Sequence, residues 1–225
     1  VGGLYGYLLY CHNDGYVRGT SYVGGVAGGG TSATLDKCYN TASVFGTSDV
    51  AGLLGYGGNI RYSYNTGLVK GYNFIAGLIG EVSGTSDTVT HSFNYGKVIA
   101  GLNGRDIYGE QTFSSTYTNL TNNYSVEGAR PKQYSGILDS ATFASDSLVD
   151  AFNRIAFGLW KKGDRHPVFD EAAKPELKDS VYQIKTPAHL LWYADYVNYM
   201  FAYPNTSAIL LDDIVFNKNV IASEC

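Results

Sequence analysis

A short phrase recurs through the first part of the chain. Val-Gly-Gly-Leu-Tyr-Gly at 1–6 returns as Val-Gly-Gly-Val-Ala-Gly at 23–28, Val-Ala-Gly-Leu-Leu-Gly at 50–55 and Ile-Ala-Gly-Leu-Ile-Gly at 75–80, with starts 22, 27 and 25 residues apart. A second phrase follows each first one. Cys11 to Gly19 is matched by Cys38 to Gly46, Ser63 to Gly71, and Ser92 to Gly101, the last with its closing glycine late. A period of this size is the signature of stacked repeats, in which each unit buries its apolar face only against its neighbours.

The phrases are short, β-rich and punctuated by glycine and asparagine, which reads as strands and corners rather than helix. The expected fold is mainly β: a parallel β-helix or solenoid with coils of about 25 residues, followed by a small α/β capping tail. A leucine-rich repeat has a similar period but needs a Leu-x-x-Leu-x-Leu pattern that is absent here. In such a stack equivalent residues form columns. Leu4, Val26, Leu53 and Leu78 read as apolar filling, as do Val17, Val44, Val69 and Val98. Gly6, Gly28, Gly55 and Gly80 mark a corner needing positive φ or close backbone approach. Asn13, Asn40, Asn65 and Asn94 are expected to form a structural ladder of stacked amides, with a binding role as the alternative.

Charge density changes along the chain. Residues 1–104 carry 10 of the Asp, Glu, Lys and Arg side chains and residues 105–225 carry 26. The coils are therefore assigned to 1–128, the last one degenerate around Asn122 to Val126. A cap with one helix follows at 129–170, its helix capped by Ser145 or Asp146 with Leu148, Ala151, Phe152 and Ile155 on one face. That segment is expected to lie across the open end of the stack. Residues 171–180 read as a linker. Residues 181–225 read as the strand-helix-strand start of a further module. There Thr186-Pro187 opens the helix, Leu190, Leu191, Ala194 and Val197 form its stripe, and Ile209 to Leu211 and Ile214 to Phe216 are apolar runs.

The two phrases together resemble the GLUG repeat of bacterial surface proteins, best at Gly52-Leu53-Leu54-Gly55 and at Tyr64 to Gly71. His12 in place of an aromatic and Ala42 in place of a glycine depart from that pattern. The resemblance implies an adhesin-like, extracellular protein at the bacterial cell surface, whose partner is a host or microbial surface glycan or protein. It also points to the non-catalytic part of immunoglobulin A-specific metallopeptidases, where such repeats occur.

Nothing in the residues argues for chemistry. The four histidines are scattered, with no His-Glu-x-x-His, Gly-x-Ser-x-Gly or phosphate-cradling loop. Some parallel β-helices cleave polysaccharides, but their sites need converging acids and bases, and Asp36, Arg61 and Lys70 do not align in the phrases. No catalytic, metal or cofactor site is expected. The net charge of -4 and the lack of any basic run point away from nucleic acid, and no apolar stretch is long enough to span a membrane. Cys11 and Cys38 occupy one slot in successive copies, as buried thiols or as an inter-coil disulfide; Cys225 is read as unpaired. Exposed tyrosines, with Tyr56, Tyr62 and Tyr72 in front, are a candidate ligand surface, the alternative being that they pack coil corners.

Overall fold

The computed structural model describes residues 2–82, 87–109, 120–128, 136–199 and 207–215. The insertion at Ser83 to Ser86, Phe216 and Cys225 lie outside them. The protein is mainly β, and contacts divide it into two units, Val1–Ser140 and Ala141–Cys225.

In the first unit the chain visits five sheets in a fixed order, and every strand pairing within them is parallel. The first sheet takes Gly6–Leu9, Ala33–Asp36, Asn59–Arg61, Val89–Thr90 and Leu120–Thr121. The second takes His12–Asn13, Tyr39–Asn40, Tyr64–Asn65, Phe93–Asn94, Tyr124–Val126 and Gly136–Leu138. The third takes Val17–Arg18, Val44–Phe45, Val69–Gly71 and Val98–Ala100. Ser21–Gly24, Ser48–Ala51 and Asn73–Ala76 form the fourth, and Ala27–Gly29, Leu54–Tyr56 and Ile79–Glu81 the fifth. Three successive copies each give one strand to every sheet, later copies contribute to fewer, and each copy lies one strand spacing from the next.

Two corrections to the phrase alignment follow. Gly3 pairs with Gly29 and Gly6 with Ala33, so residues 1–6 are not in register with 23–28. Instead Gly104 pairs with Ile75 and Tyr108 with Ile79, which makes residues 104–109 the fourth in-register copy of the first phrase. The second sheet also continues beyond residue 128, through Gly136–Leu138.

The interior is filled by column. Leu35, Leu53, Leu54, Ile60, Leu78, Ile79 and Ile107 form one fully buried cluster, joined by Val26 and Leu4. Val23, Val44, Val50, Val69, Ile75 and Val98 form a second. Each large member contributes roughly 1.5–3 kcal/mol by leaving water. Between them a glycine row faces the asparagines. A Cβ on Gly25, Gly52 or Gly77 would overlap the side chain of Asn40, Asn65 or Asn94 respectively. At the fifth copy both partners change together: Asp106 stands where the glycines stand, Ser125 pairs with Asn94 in the asparagine slot, and Ser125 Oγ donates to Asp106 Oδ2 at 2.9 Å. Both side chains are buried. The larger residue moves to the other side of the gap and the gap stays filled.

The glycine column divides between its two expected roles. Gly6 has φ of 125°, whereas Gly28, Gly55 and Gly80 are needed for close backbone approach, since a Cβ on each would overlap neighbouring backbone. Other left-handed corners carry side chains. Tyr10, Lys37, Tyr62, His91 and Asn122 share one slot with φ of 48 to 56°, and Tyr22, Asp49 and Phe74 share another with φ of 53 to 55°. Each costs on the order of 1 kcal/mol relative to glycine; in the first slot that cost is offset by contacts between successive copies, Lys37 with Tyr10 and Tyr62, Tyr62 with His91 and His91 with Asn122.

In the second unit α1 (Ser140–Phe143) precedes α2 (Asp146–Ala156). Ser145 caps α2 by accepting from the Leu148 N–H at 3.3 Å. Its buried residues are Leu148, Val149 and Phe152, while Ile155 is exposed, so the apolar face is rotated from the expected one. Strands Trp160–Lys162 and Pro167–Phe169 form an antiparallel pair. Asn153 fixes α2 to that pair, its amide accepting from the Trp160 N–H at 3.0 Å and donating to the Trp160 carbonyl at 2.8 Å. The stretch expected as a linker is structured: a 3-10 turn at Glu171–Ala173 and a strand at Glu176–Lys178 that pairs antiparallel with Val181–Ile184. Val181–Ile184, α3 (Pro187–Tyr199) and Ser207–Leu210 make a parallel strand-helix-strand unit. The helix residue most buried here is Trp192, stacked on Tyr196 and packed against Tyr182, rather than the Leu190-Leu191-Ala194-Val197 stripe.

Gly52→Ala forces a methyl into the Asn65 amide and should destabilise the chain by on the order of 1–3 kcal/mol. Gly15→Ala, whose Cβ would meet only Asn13 Oδ1 at 3.6 Å, should stay within about 0.5 kcal/mol. Urea denaturation midpoints of the two variants check this.

Candidate functional site

The asparagine column is continuous. Asn13 Nδ2 donates to Asn40 Oδ1 at 2.7 Å, Asn40 to Asn65 at 2.8 Å, and Asn65 to Asn94 at 2.8 Å. The second amide hydrogen of each goes to the carbonyl two residues on, at Gly15, Ala42, Gly67 and Gly96. Asn40, Asn65 and Asn94 are fully buried. Their hydrogen-bonding capacity is spent inside the protein, so the column offers nothing to a ligand. None of the four has positive φ.

Two further columns flank it. One position earlier, His12, Tyr39, Tyr64 and Phe93 stack face to face, with centroids 4.9 to 5.0 Å apart and planes within 8°. Two positions earlier the side chain of one copy holds the backbone of its neighbour. The N–H of Cys38 donates to Ser63 Oγ, that of Ser63 to Ser92 Oγ, and that of Ser92 to Asn123 Oδ1, at 3.0 to 3.1 Å.

Cys11 and Cys38 begin this column as free thiols. The hydrogen bond from Cys38 lowers the Cys11 thiol to about 6, while Cys38 is pushed well above the usual thiol range by its partner and by burial. Cys11 binds fewer protons folded than unfolded between about pH 6 and pH 9, so its contribution to stability grows with pH across that window. Cys38 works the other way, its contribution being lost as pH rises above 9.0.

Charged residues do align in space. Asp36 lies directly opposite Arg61 in the first sheet. Its carboxylate is buried, accepts from Arg61 Nε at 2.8 Å, and pairs with Arg61 at 2.7 Å and Lys37 at 3.3 Å. The Lys37 ammonium also sits 5.5 Å from the Tyr10 ring centre and 5.4 Å from that of Tyr62. Tyr62 stacks in turn on His91 at 5.3 Å, and the Asn122 amide lies 2.9 Å from His91 Nε2. Burial holds His91 below the usual imidazole range, which favours the neutral ring as acceptor for that amide. This corner is a closed network whose donors and acceptors face each other.

The three tyrosines proposed as one ligand surface stand apart. Tyr62 belongs to the corner just described. Tyr56 packs edge-on to Tyr22, with centroids 5.0 Å apart, in a groove of about 320 Å³ with Tyr5 and the Gly28 to Gly30 backbone. Tyr72, 60% exposed, borders a different groove of about 470 Å³ on the third sheet. Arg18, Phe45 and Lys70 share one register position on that groove, a feature absent from the sequence reading. Counting from the ladder would have found it, because each stands five residues after its asparagine.

Among the described residues no three His, Cys, Asp or Glu side chains cluster as a metal site, and no helix is long and apolar enough to cross a membrane.

Two measurements follow. Asn65→Ala removes one ladder rung and leaves buried amide groups on both sides unpaired, a loss of roughly 2–5 kcal/mol. Asn13→Ala, at the exposed end, should lose under about 1 kcal/mol; urea unfolding of both variants is the check. Iodoacetamide labelling followed by mass spectrometry should modify Cys11 with a midpoint near pH 6 and spare Cys38 in the folded chain.

No family model matches the chain, and no curated protein matches it. Among solved structures it is similar to one described as "a putative immunoglobulin A1 protease from Bacteroides ovatus", with a TM-score of 0.57 and 20% identity. The match covers 73% of this chain and 57% of that one, so the chain spans a little over half of that protein's length. At this identity the likeness is one of fold.

Proposed function

We propose that the first unit is a parallel β-solenoid of GLUG-like coils, and that the chain is a non-catalytic structural and adhesive module of a bacterial cell-surface protein. Its work is to space or present a binding surface outside the cell, toward a host or microbial glycan or protein. The observation that carries this reading is the register itself. Successive copies repeat the same contacts across five parallel sheets. Interior polar groups are taken up by that repetition in the amide and hydroxyl ladders, and by the Asp36–Arg61 ion pair. A surface built this way varies only in its outward side chains, which suits recognition along the stack. Residues 181–225 are read as the opening of a further module, supported by the strand-helix-strand unit there.

A second reading is favoured by the name of the similar solved structure: an accessory, non-catalytic region of a surface protease. Both readings expect the same biochemistry from this chain alone. Incubated with immunoglobulin A1, it should leave the heavy chain intact by mass spectrometry, and beads coated with it should be retained on panels of surface glycans or host proteins. Cleavage of the heavy chain overturns the non-catalytic assignment; retention on no panel overturns the adhesive one.

A further inference from the structure

The third sheet carries an outward row that the ladders do not use. Arg18, Phe45 and Lys70 are mutual register partners there, while Val17, Val44 and Val69 beside them point inward. With neighbouring strands 4.7–4.9 Å apart, the two cations stand roughly 10 Å from one another at the backbone, with an aromatic ring between them. Tyr16 packs on Phe45 at 5.3 Å, and Thr47 and Tyr72 border the opposite side of the groove. The floor between the two sides is a row of glycines. Gly19, Gly46 and Gly71 bear no side chain, and a Cβ on any of them would run into Val23, Val50 or Ile75. The result is a trough of about 470 Å³ running across three consecutive copies, with bare backbone at its base.

Charge in this trough is one-sided. Residues 1–104 hold five cations, Arg18, Lys37, Arg61, Lys70 and Lys97. Lys37 and Arg61 are consumed by the buried Asp36 carboxylate. Two of the remaining three line the trough, no Asp or Glu lines it, and neither Arg18 nor Lys70 takes part in an ion pair among the described residues. Exposed cations at a fixed interval, flanked by aromatic faces over a flat floor, suit an extended anionic sugar chain. Carboxylates take the cations, one bidentate on the guanidinium, and the apolar faces of the sugars lie on Tyr16, Phe45 and Tyr72.

We propose that this trough binds an acidic polysaccharide in which a uronate alternates with a neutral sugar, laid along the stack so that successive uronates meet Arg18 and Lys70. The interval between the cations is close to one disaccharide repeat of such a polymer, and Phe45 then lies under the neutral sugar. This rests on the presenting role proposed above and names what the surface takes.

The test uses the full 225-residue chain and immobilised hyaluronan, which alternates glucuronate with N-acetylglucosamine. The chain should bind it at low salt and lose most binding as ionic strength rises toward about 0.5 M. Arg18→Ala and Lys70→Ala should each weaken binding about tenfold. Phe45→Ala should weaken it about fivefold with the salt dependence unchanged. Lys97→Ala, a cation outside the trough and without an ion pair among the described residues, should stay within about twofold. Hyaluronan whose carboxylates have been reduced to alcohols should not bind. Circular dichroism of each variant guards against loss of fold. Equal binding to the reduced polymer, or an equal loss on Lys97→Ala, overturns the proposal, the latter by revealing diffuse charge attraction. If hyaluronan fails to bind while the coated beads are still retained on other surfaces, the trough assignment falls and the presenting role stands. Failure of both removes the wider reading as well.

Discussion

The rest of the first unit depends on one contact repeated along its interior, a glycine facing an asparagine. The Asn40, Asn65 and Asn94 amides fit because Gly25, Gly52 and Gly77 leave room for them. Each amide then has three tasks, met at once: to donate to the next copy or to end the series, to accept from the previous one, and to close its own turn on the carbonyl two residues on. An amide buried without partners costs a few kcal/mol, so any slip of one copy against the next would orphan several groups together. The apolar columns supply most of the stabilisation, but they tolerate approximate registration; the amides do not. The coupled change to Asp106 and Ser125 at the fifth copy obeys the same constraint, with a different pair filling the same gap.

The proposed binding role draws on what this interior leaves free. The inner columns are fixed by their own bonding, and the corners at Tyr10, Lys37, Tyr62 and His91 are tied to one another by stacking and charge. Outward positions such as Arg18, Phe45, Lys70 and Ile99 vary from copy to copy without disturbing the register. The inner slots hold the copies together, and the outer slots can change without disturbing them.

Much of this was legible in the sequence because residues that bond to their own equivalents must recur at a constant offset. The Asn13 to Asn94 series and the Val17 to Val98 series are the plain examples. Less legible was the first copy. Val1 to Gly6 looks like the later phrases, yet Gly6 pairs with Ala33, because glycine and small apolar residues serve equally well in adjacent slots. The glycine column met both of its readings: Gly6 has positive φ, and Gly28, Gly55 and Gly80 stand where a neighbouring backbone comes close. What the phrases did not reveal is that Tyr, Lys, His, Asn, Phe and Asp also hold left-handed corners. Asp36 and Arg61 do not align in the phrases yet pair across the first sheet, and the Arg18-Phe45-Lys70 row is equally hidden, because unlike residues in one slot leave no repeat in the sequence. In the second unit, Ser145 and Thr186-Pro187 are local signals and were readable. The pairing of Glu176–Lys178 with Val181–Ile184 was hidden in a charged stretch whose strand is exposed along its length.

The amide series also has a direction. Every Nδ2 points the same way along the column, from Asn13 toward Asn94. A donor therefore leaves each copy on one side and an acceptor greets it on the other, whichever copy it is. Excising or duplicating one whole copy rejoins the same two groups, with no new interface to invent. The number of copies can then change one at a time by recombination within the gene, while the chemistry at every joint stays as it was.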